Sequence, residues 1–314
     1  MARILLTQRL VPGGADLLEA SGHEIEFVRR TSPMSHQDLV AKASDVDAIV
    51  CLLNDLIDEA VLASSSRLRV VGTVAVGFDN IDLDAAARRG VAVVNTPGVL
   101  DAATSETTLL LILAALRRSS SAEHDLRAGR WSGWGIEQHM GLDLGGSIVG
   151  LVGYGRIAQA VAARVQAFGA SVIHHTRHPT GVAGWTESLD ELLERCDVLS
   201  IHVPLSPSTR GLIGPMEIQR MKPTAVVVNT ARGPILDEVA VADALEAGRL
   251  WGAGFDVFDG EPTVNPRLLA APNTVLLPHV GSATIRTRRE MCDVAIQGVL
   301  DVLEGKTPPN LVNA

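Results

Sequence analysis

Three short segments of the sequence each carry a side chain that could take part in reducing a carbonyl group. The side chains are Arg232, in segment 229–233, Glu261, in segment 256–262, and His279, in segment 278–283. A guanidinium binds a carboxylate through paired hydrogen bonds, and an imidazolium can donate a proton to a carbonyl oxygen as hydride reaches the carbon. A neighbouring carboxylate favours the charged form of an imidazole. Together these three residue types indicate hydride chemistry on a 2-oxo acid.

Each of these segments directly follows a short apolar run that is typical of a strand. In open sheets of parallel strands, ligands bind beside the carboxyl ends of the strands. We therefore expect Arg232, Glu261 and His279 to converge at one edge of a sheet, beside a nicotinamide.

A glycine pattern at the end of another predicted strand indicates a dinucleotide site. Residues 147–152 are mostly apolar, the next six read GYGRIA, and a helical pattern follows. Gly153 allows the tight turn, Gly155 lets the backbone approach a pyrophosphate, and the helix N-terminus supplies N–H groups. Ala158 stands where such patterns have a third glycine or an alanine. The strand before the turn and the helix after it favour cofactor binding over a purely structural turn.

The end of the next predicted strand, 171–175, bears on which dinucleotide is bound. A site specific for NAD places an Asp or Glu there, against the ribose 2′-hydroxyl. This sequence instead reads HHTRHP over 174–179, in which Arg177 could pair with a 2′-phosphate. The sequence therefore favours NADP(H) and keeps NAD(H) as the alternative.

Short apolar strands alternate with amphipathic helical stretches along the chain, which predicts an α/β fold of parallel sheets covered by helices. The first series of predicted strands is 4–6, 25–28, 48–50, 70–74 and 91–94. The second series is 147–152, 171–175, 198–202, 225–229, 252–255 and 275–277. Long helices are predicted at 104–118 and at 284–303, and the second could carry the chain back to the first domain. The predicted fold class is two doubly wound parallel-sheet domains, the second a Rossmann dinucleotide-binding domain inserted in the first.

Composition and charge narrow the classes of function. The chain has 314 residues, 46% hydrophobic and 20% charged, and this length predicts about two domains. A net charge of -9 gives no general basic surface for nucleic acid or an anionic membrane, so neither is an expected partner.

Cys51, Cys196 and Cys292 lie too far apart to indicate a disulfide framework or a zinc site, and no metal is expected. Three widely separated cysteines with no sign of disulfide pairing are typical of a reducing compartment. The longest apolar run, 109–116, is well short of the ~18 residues that are needed to cross a bilayer. We therefore expect a cytoplasmic protein.

With these motifs, the chain resembles the D-isomer-specific 2-hydroxyacid dehydrogenases along essentially its whole length. Further motifs that agree in order and spacing are GFDNID at 77–82, NTPGVL at 95–100, HVPL at 202–205 and PNLVN at 309–313. Within the family, VLDAATSE at 99–106, GRWSGW at 129–134 and PHVGSAT at 278–284 are most similar to glyoxylate/hydroxypyruvate reductases.

The resemblance implies roles for individual residues. Arg232 binds the substrate carboxylate and carbonyl, His279 is the general acid in reduction and the base in oxidation, and Glu261 is hydrogen-bonded to His279. The other substrate-binding residues that it implies are Val76 and Gly77, through backbone N–H groups, and Leu100, Ser282 and Trp134. The cofactor-binding residues that it implies are Val76, Gly153, Gly155, Arg156, Ile157, Thr176, Arg177, Val203, Pro204, Thr209, Thr230, Asp256 and Gly281.

We also expect the two domains to bind different ligands and the protein to form a homodimer. Residues 1–98 and 286–314 are assigned to a substrate-binding domain, and 99–285 to the dinucleotide-binding domain. Segment 118–146 is expected to be the dimerisation arm of a homodimer, because its Trp131 and Trp134 would be costly to expose. In related reductases an aromatic side chain from the partner's arm reaches the substrate, and Trp134 stands at that position. The alternative is that Trp134 anchors the dimer interface without contacting the substrate.

These features predict a reductase of small 2-oxo acids that forms glycolate from glyoxylate and D-glycerate from hydroxypyruvate, with hydride from NAD(P)H. A second hypothesis changes the substrate to 2-ketogluconate, an aryl pyruvate or, with NAD, 3-phosphoglycerate. The absence of an acidic residue at Thr176 counts against the last of these. A hypothesis of another class is a corepressor-like protein that senses NAD(H), and the complete set of Arg, Glu and His argues against it.

Overall fold

The computed structural model describes residues 1–313, which form two compact units. The first consists of Met1–Leu100 and the chain from Ser282 onward, and the second of Asp101–Gly281. Each unit has its own sheet of parallel strands, and the second is inserted in the sequence of the first. The predicted fold class is thereby confirmed. Which domain binds substrate and which binds the dinucleotide, with boundaries at 98 and 285, stays a prediction.

Residues 1–313 form short strands and helices in alternation. The strands are β1 (Arg3–Leu6), β2 (Glu24–Phe27), β3 (Ala48–Cys51), β4 (Val70–Thr73), β5 (Ala92–Val94), β6 (Ile148–Val152), β7 (Ser171–His175), β8 (Trp185–Thr186), β9 (Val198–Ile201), β10 (Val226–Asn229), β11 (Gly252–Phe255) and β12 (Thr274–Leu276). The α-helices are α1 (Asp16–Ala20), α2 (His36–Lys42), α3 (Glu59–Ala63), α4 (Leu83–Arg88), α5 (Asp101–Leu116), α6 (Ser119–Arg127), α7 (Arg156–Ala167), α8 (Leu189–Arg195), α9 (Pro215–Arg220), α10 (Glu238–Glu246), α11 (Pro266–Ala270) and α12 (Ile285–Leu303). Short 3-10 turns lie at Ala43–Asp45 and Gly233–Ile235.

The first sheet has the strand order β2-β1-β3-β4-β5, and its neighbouring strands are parallel. Its inner strands β3 and β4 are buried along their whole length and are rich in Ile and Val, as strands covered on both faces require. Helix α12 packs on β3, β4 and β5. All five strands predicted for this part of the chain are present to within one residue.

The second sheet has the strand order β12-β11-β10-β9-β6-β7-β8, again with parallel neighbours. The chain starts at β6, adds β7 and β8 on one side, and then crosses to β9 and continues outward to β12. The carboxyl ends of β6 and β9 therefore form a topological switch point, where open α/β sheets bind ligands. The six predicted strands are confirmed to within one residue, whereas the two-residue β8 has no signal in the sequence pattern.

Helix α5 is the apolar helix predicted at 104–118, and it begins earlier, at Asp101. It packs within the second unit, on β10, β11 and α7, with Leu111 and Ile112 fully buried. Its apolar character therefore serves the core of this unit. Among residues 1–313, no helix is both long enough and apolar enough to span a bilayer.

Helix α12 returns the chain to the first unit, as the sequence suggests. Thr284 caps it by accepting a hydrogen bond from the N–H of Thr287 at 3.0 Å. The segment after the helix then runs beside β5, where the N–H of Val93 donates to Asn313 Oδ1 at 2.7 Å. The C-terminal motif PNLVN is thus part of the first unit.

Segment 118–146 contains a helix, α6, that the sequence pattern does not predict. Its sequence SSSAEHDLR is largely polar and none of its residues is buried, so it has no apolar periodicity to detect. The chain beyond it, to residue 141, is irregular. Near the end of α6 and along this irregular stretch, five large apolar side chains are exposed. We call them the arm patch: Leu126, Trp131, Trp134, Ile136 and Met140.

Candidate active site

The turn between β6 and α7 has a backbone geometry that requires glycine. Gly153 has a φ of +91°, and a Cβ on it would lie 2.8 Å from the carbonyl oxygen of His202. Gly155 is the N-cap of α7, and a Cβ there would meet no atom of the described residues within 4 Å. The first N–H groups of a helix have no partner within the helix, so this turn can bind an anion.

Arg156, the first residue of α7, forms an ion pair with Asp101 of α5, with 3.2 Å between Nε and Oδ2. Its side chain is largely exposed, and the Asp101 contact uses Nε. Ile157 is half-buried beside it, and Ala158 is fully buried in the core of the unit. The burial of Ala158 explains why a small residue occupies the third position of the glycine pattern.

Thr176 and Arg177 lie directly after β7. The hydroxyl of Thr176 donates to the carbonyl oxygen of His178 at 2.7 Å and accepts from the indole N–H of Trp185 at 3.2 Å. Its proton is therefore already used within the loop. Arg177 is exposed next to this pair, so it is a cation that this strand end can offer to an anionic ligand.

His202 follows β9, and its Nε2 lies 2.8 Å from Ser200 Oγ. Although part of its surface is exposed, the groups packed around its ring exclude water, which lowers the pKa of His202 to about 4. The ring is therefore neutral at physiological pH. Further along the same loop, the hydroxyl of Thr209 donates to the carbonyl oxygen of Pro204 at 2.7 Å, which orders the chain after Val203.

The loop after β10 holds Arg232. The buried Asn229 donates through Nδ2 to the carbonyl oxygen of Arg232 at 2.9 Å and accepts from the N–H of Ala231 at 3.0 Å. Thr230 Oγ1 lies 2.9 Å from Thr108 Oγ1 of α5. The backbone that carries Arg232 is thus fastened on two sides, and sequence reasoning missed the contribution of Asn229, whose only signal was its place in the NTARG segment.

Asp256, after β11, fixes the loop that carries His279. It is 1% exposed, and its two carboxylate oxygens accept from the N–H groups of Val280 and Gly281, each at 2.7 Å. Its carbonyl oxygen accepts from the N–H of His279 at 2.8 Å. These bonds hold His279 at a φ of +54°, which is uncommon for a residue with a Cβ. Burial raises the pKa of Asp256, against the effect of the two N–H groups.

The structure brings Glu261 and His279 into contact. His279 Nδ1 lies 2.8 Å from Glu261 Oε2, while Glu261 Oε1 accepts from the N–H of Phe258 at 2.9 Å. Both carboxylate oxygens are therefore engaged. Because Nδ1 faces the carboxylate, Nε2 is the nitrogen of the His279 ring that could exchange a proton with a ligand.

The charge state of Glu261 follows from its surroundings. Burial favours its neutral form, but the hydrogen bond and charge of His279, the N–H of Phe258 and the charge of Arg232 outweigh it and hold the pKa of Glu261 below its usual value. An ionised carboxylate can only accept a hydrogen bond, so Nδ1 of His279 donates to Glu261. The arrangement places a histidine ring within reach of the charge of a guanidinium, and these residue types suit proton transfer to a carbonyl group.

Comparison with known proteins decides which family carries this arrangement. The family model "D-isomer specific 2-hydroxyacid dehydrogenase, NAD binding domain" matches residues 109–281. The chain belongs to this family. The family predicted from the motifs is thereby confirmed, and the protein is an oxidoreductase with an NAD-binding domain.

Relatives of this dehydrogenase match it over nearly its whole length. It is 42% identical to the glyoxylate reductase of Aeropyrum pernix and 37% identical to that of Thermococcus litoralis, each over 99% of this chain and 96% of the relative. It is also similar to a solved structure of the NADPH-dependent glyoxylate/hydroxypyruvate reductase of Sinorhizobium meliloti in complex with NADP and malonate. That comparison has a TM-score of 0.88 and 33% identity, and covers 99% of this chain and 96% of the other.

Other residues predicted for the site of the dehydrogenase belong to its first unit. Val76 and Gly77 follow β4, and the carbonyl oxygen of Val76 accepts from Asn95 Nδ2 at 2.8 Å. Leu100 is buried, and Ser282 is half-buried. Sequence reasoning quoted the NTPGVL motif but assigned no role to Asn95, its first residue.

Trp134, predicted to reach the substrate of a second protomer, lies in the arm patch. Its side chain is 81% exposed in the single chain. Its role in substrate binding therefore stays a prediction.

Proposed function

We propose that this dehydrogenase reduces small 2-oxo acids, glyoxylate to glycolate and hydroxypyruvate to D-glycerate, with NADPH as the preferred hydride donor. The observation that carries the proposal is the 2.8 Å contact between Glu261 Oε2 and His279 Nδ1. Arg232 is close enough to this pair for its charge to lower the pKa of Glu261. The substrate class is supported by two relatives of this dehydrogenase, the glyoxylate reductases of Aeropyrum pernix and Thermococcus litoralis.

In the proposed reaction, His279 is the general acid. Its Nε2 donates a proton to the carbonyl oxygen while the bound nicotinamide supplies hydride to the carbonyl carbon. After the transfer, the neutral ring keeps its Nδ1 proton, which faces Glu261. In oxidation the same nitrogen accepts the proton of the hydroxyl group.

Further groups in the proposed site bind and orient the substrate. Arg232 engages the carboxylate and the carbonyl oxygen through its paired N–H groups, and this geometry is unavailable to a lysine. The backbone N–H groups of Val76 and Gly77 bind the carboxylate. Leu100 and Ser282 complete the substrate-binding set.

The turn after β6 fits a dinucleotide. Gly153 and Gly155 leave room for a pyrophosphate against the N-terminus of α7, and Arg156 adds a positive charge there. We assign the remaining cofactor contacts to Val76, Ile157, Thr176, Arg177, Val203, Pro204, Thr209, Thr230, Asp256 and Gly281.

The preference for NADPH is assigned to Arg177, which is exposed at the end of β7. Support comes from the Sinorhizobium meliloti reductase, which is described as NADPH-dependent. We expect Arg177→Ser to lower kcat/KM for NADPH about 30-fold, the usual size of a lost hydrogen bond to a charged group, and to spare NADH. Arg195→Ser, on α8 and paired with Glu191, is the control that leaves the preference unchanged. A wild-type protein that prefers NADH would show the assignment to be wrong.

The decisive experiment follows the oxidation of NADPH and, separately, NADH in the presence of glyoxylate or hydroxypyruvate. We expect rapid turnover of both acids with NADPH. Turnover confined to bulkier 2-oxo acids would leave the chemistry in place and refute the substrate. Binding of NAD(H) with no turnover of any 2-oxo acid would instead favour the sensing protein.

We further propose a cytoplasmic homodimer in which a second copy of the chain covers the arm patch, and Trp134 of one protomer reaches the substrate of the other. The support is the exposure of its apolar side chains, with Trp134 at 81% and Ile136 at 77%. Ile136→Asp should shift the mass measured by light scattering from dimer to monomer. Met216→Asp, at a 68% exposed position on α9, is the control and should not. A wild-type protein that is a monomer at high concentration contradicts this assembly.

A further inference from the structure

The loop that carries Val76 and Gly77 is held by an asparagine from a neighbouring loop. Asn95 follows β5, is 8% exposed, and donates through Nδ2 to the carbonyl oxygen of Val76 at 2.8 Å. The peptide bond between Val76 and Gly77 is trans, so its carbonyl and its N–H point in opposite directions. By fixing the carbonyl, Asn95 fixes the direction of the Gly77 N–H.

A second hydrogen bond joins the same two loops. The N–H of Thr96 donates to the carbonyl oxygen of Ala75 at 2.9 Å, and both residues are buried. The chain at 75–77 therefore follows the position of the chain at 95–96. The direction of the Gly77 N–H depends on what holds Asn95.

Asn95 is held by the C-terminal segment. Asn310 Nδ2 donates to the carbonyl oxygen of Asn95 at 2.7 Å and to that of Val294, in α12, at 3.2 Å. The carbonyl oxygen of Asn310 also accepts from the N–H of Asn95 at 3.3 Å. Asn310 is 7% exposed and Asn95 is 8% exposed, so removing the side chain of Asn310 takes a donor from a buried carbonyl group, that of Asn95.

Helix α12 has a space for this side chain. A Cβ on Gly298 would lie 2.7 Å from Asn310 Oδ1 and 2.8 Å from Asn310 Nδ2. Glycine inside a helix weakens it relative to alanine. Here the glycine lets the amide of Asn310 lie against the helix and reach Asn95.

We propose that Asn310 is a positioning residue for substrate binding: acting through Asn95, it sets the direction of the Gly77 N–H that receives the substrate carboxylate. The proposal rests on the proposed function in that it takes this N–H to bind the carboxylate. It gives the C-terminal segment a part in substrate recognition.

The same segment provides a matched control. Asn313 also makes two hydrogen bonds, donating through Nδ2 to the carbonyl oxygen of Val91 at 2.8 Å and accepting from the N–H of Val93 at 2.7 Å. Its partners are Val91, just before β5, and Val93, the middle residue of β5, whereas Asn310 contacts Asn95 after the end of the strand. Loss of Asn313 should therefore cost stability without affecting the loop of Gly77.

The test compares Asn310→Ala with Asn313→Ala in the reduction of glyoxylate at saturating NADPH. Inhibition by oxalate, a carboxylate ligand that cannot be reduced, is measured in parallel. For Asn310→Ala we expect KM and the inhibition constant each to rise about fivefold, the scale of one buried hydrogen bond, with kcat and the Kd of NADPH little changed. For Asn313→Ala we expect a lower Tm and unchanged constants. Asn310→Ser, which keeps one donor, replaces the alanine variant if that variant does not fold.

An unchanged KM in Asn310→Ala, or an equal rise in Asn313→Ala, overturns the proposal. A second measurement needs no activity: the amide hydrogen of Thr96 should exchange faster in Asn310→Ala than in Asn313→Ala, and equal rates also overturn the proposal. If the wild-type protein reduces no 2-oxo acid, the proposed function fails, while the exchange rates still decide whether Asn310 orders this loop.

Discussion

The carboxyl ends of the two sheets carry different kinds of groups. In the first unit, the loops after β4 and β5 are joined by neutral amides and backbone groups, with Asn95 bonded to Val76. In the second unit, the loops after β11 and β12 carry the buried Asp256 and the Glu261–His279 pair. Sheets of one architecture therefore carry groups suited to two different tasks. Neutral groups orient a backbone, whereas paired charges can hold and move a proton.

The comparison also shows what stabilises charged groups in the protein interior. A buried charge is costly unless hydrogen bonds or an opposite charge compensate it. Asp256 accepts from two N–H groups, and Glu261 accepts from Phe258 and contacts His279. The first unit contains one similar group, Asp55, which is 2% exposed and accepts from Thr7 Oγ1 at 2.6 Å. Substitution of Asp55 tests whether that group serves structure or chemistry.

The largest effect is expected from His279→Ala. Removal of the proton donor should lower kcat/KM for glyoxylate about 10³-fold, within the range of general acid catalysis, while NADPH binding persists. The first unit offers a matched control, because His36 Nε2 lies 3.0 Å from Asp58 Oδ1 in a similar histidine–carboxylate pair. His36→Ala should leave kcat/KM unchanged. A fall in kcat/KM of less than tenfold in His279→Ala would show that the Glu261–His279 pair does not supply the proton.

The next effect is expected from Asp55→Ala in the first unit. Asp55 Oδ2 accepts from Thr7 Oγ1, from Gln8 Nε2 at 3.0 Å and from the N–H of Leu52 at 2.9 Å. Its loss should lower the free energy of unfolding, measured in urea, by about 3 kcal/mol, because buried donors lose their acceptor. The exposed Asp84→Ala is the control. A fall in kcat with unchanged stability would show that the first unit also uses a charge in the reaction.

A smaller effect is expected from Glu261→Gln. The ionised carboxylate of Glu261 is a stronger acceptor for His279 Nδ1 than a neutral amide is, so the ring is held less firmly in the variant and reduction should slow about tenfold. The measurement is kcat/KM for glyoxylate at neutral pH and saturating NADPH. An equal kcat/KM in variant and wild type would mean that the charge of Glu261 does not contribute to the reaction.

The same variant has a smaller effect on stability. The pKa of Glu261 is lower in the folded protein than its ordinary value of 4.5, so its ionised form stabilises the fold above that pH. This stabilisation is lost as the pH falls through the folded-state pKa. The difference in unfolding free energy between wild type and Glu261→Gln, about 1 kcal/mol near neutral pH, should therefore vanish in acid. A difference that persists unchanged in acid would contradict the ionisation.

The fold was largely predictable because its signals are local. Buried parallel strands such as β3 and β10 are short apolar runs, and all eleven predicted strands are present. The elements that were missed lack such signals. Strand β8 has two residues and pairs only with β7, while α6 is polar and buries none of its side chains.

The site was predictable only in part. Arg232, Glu261 and His279 stand out by residue type and by their places after strands, and the structure brings the last two into contact. The residues that orient them were not foreseen in that role. Asn229 holds Arg232 through an amide bond to its carbonyl group. Asp256 was predicted as a cofactor contact, and that role stays untested, but its observed partners are the N–H groups that follow His279.

The sequence by itself determined the alternation of strands and helices, the glycine turn at residue 153 and the types of group available for chemistry. These depend on near neighbours in the chain. The tertiary structure alone decided which polar side chain meets which backbone group. Asp256 reaches across 24 residues to Val280, and Asn310 across 215 residues to Asn95. An amide or a carboxylate accepts many partners, so its own sequence context does not select one, and only the packed chain brings the partner within hydrogen-bonding distance.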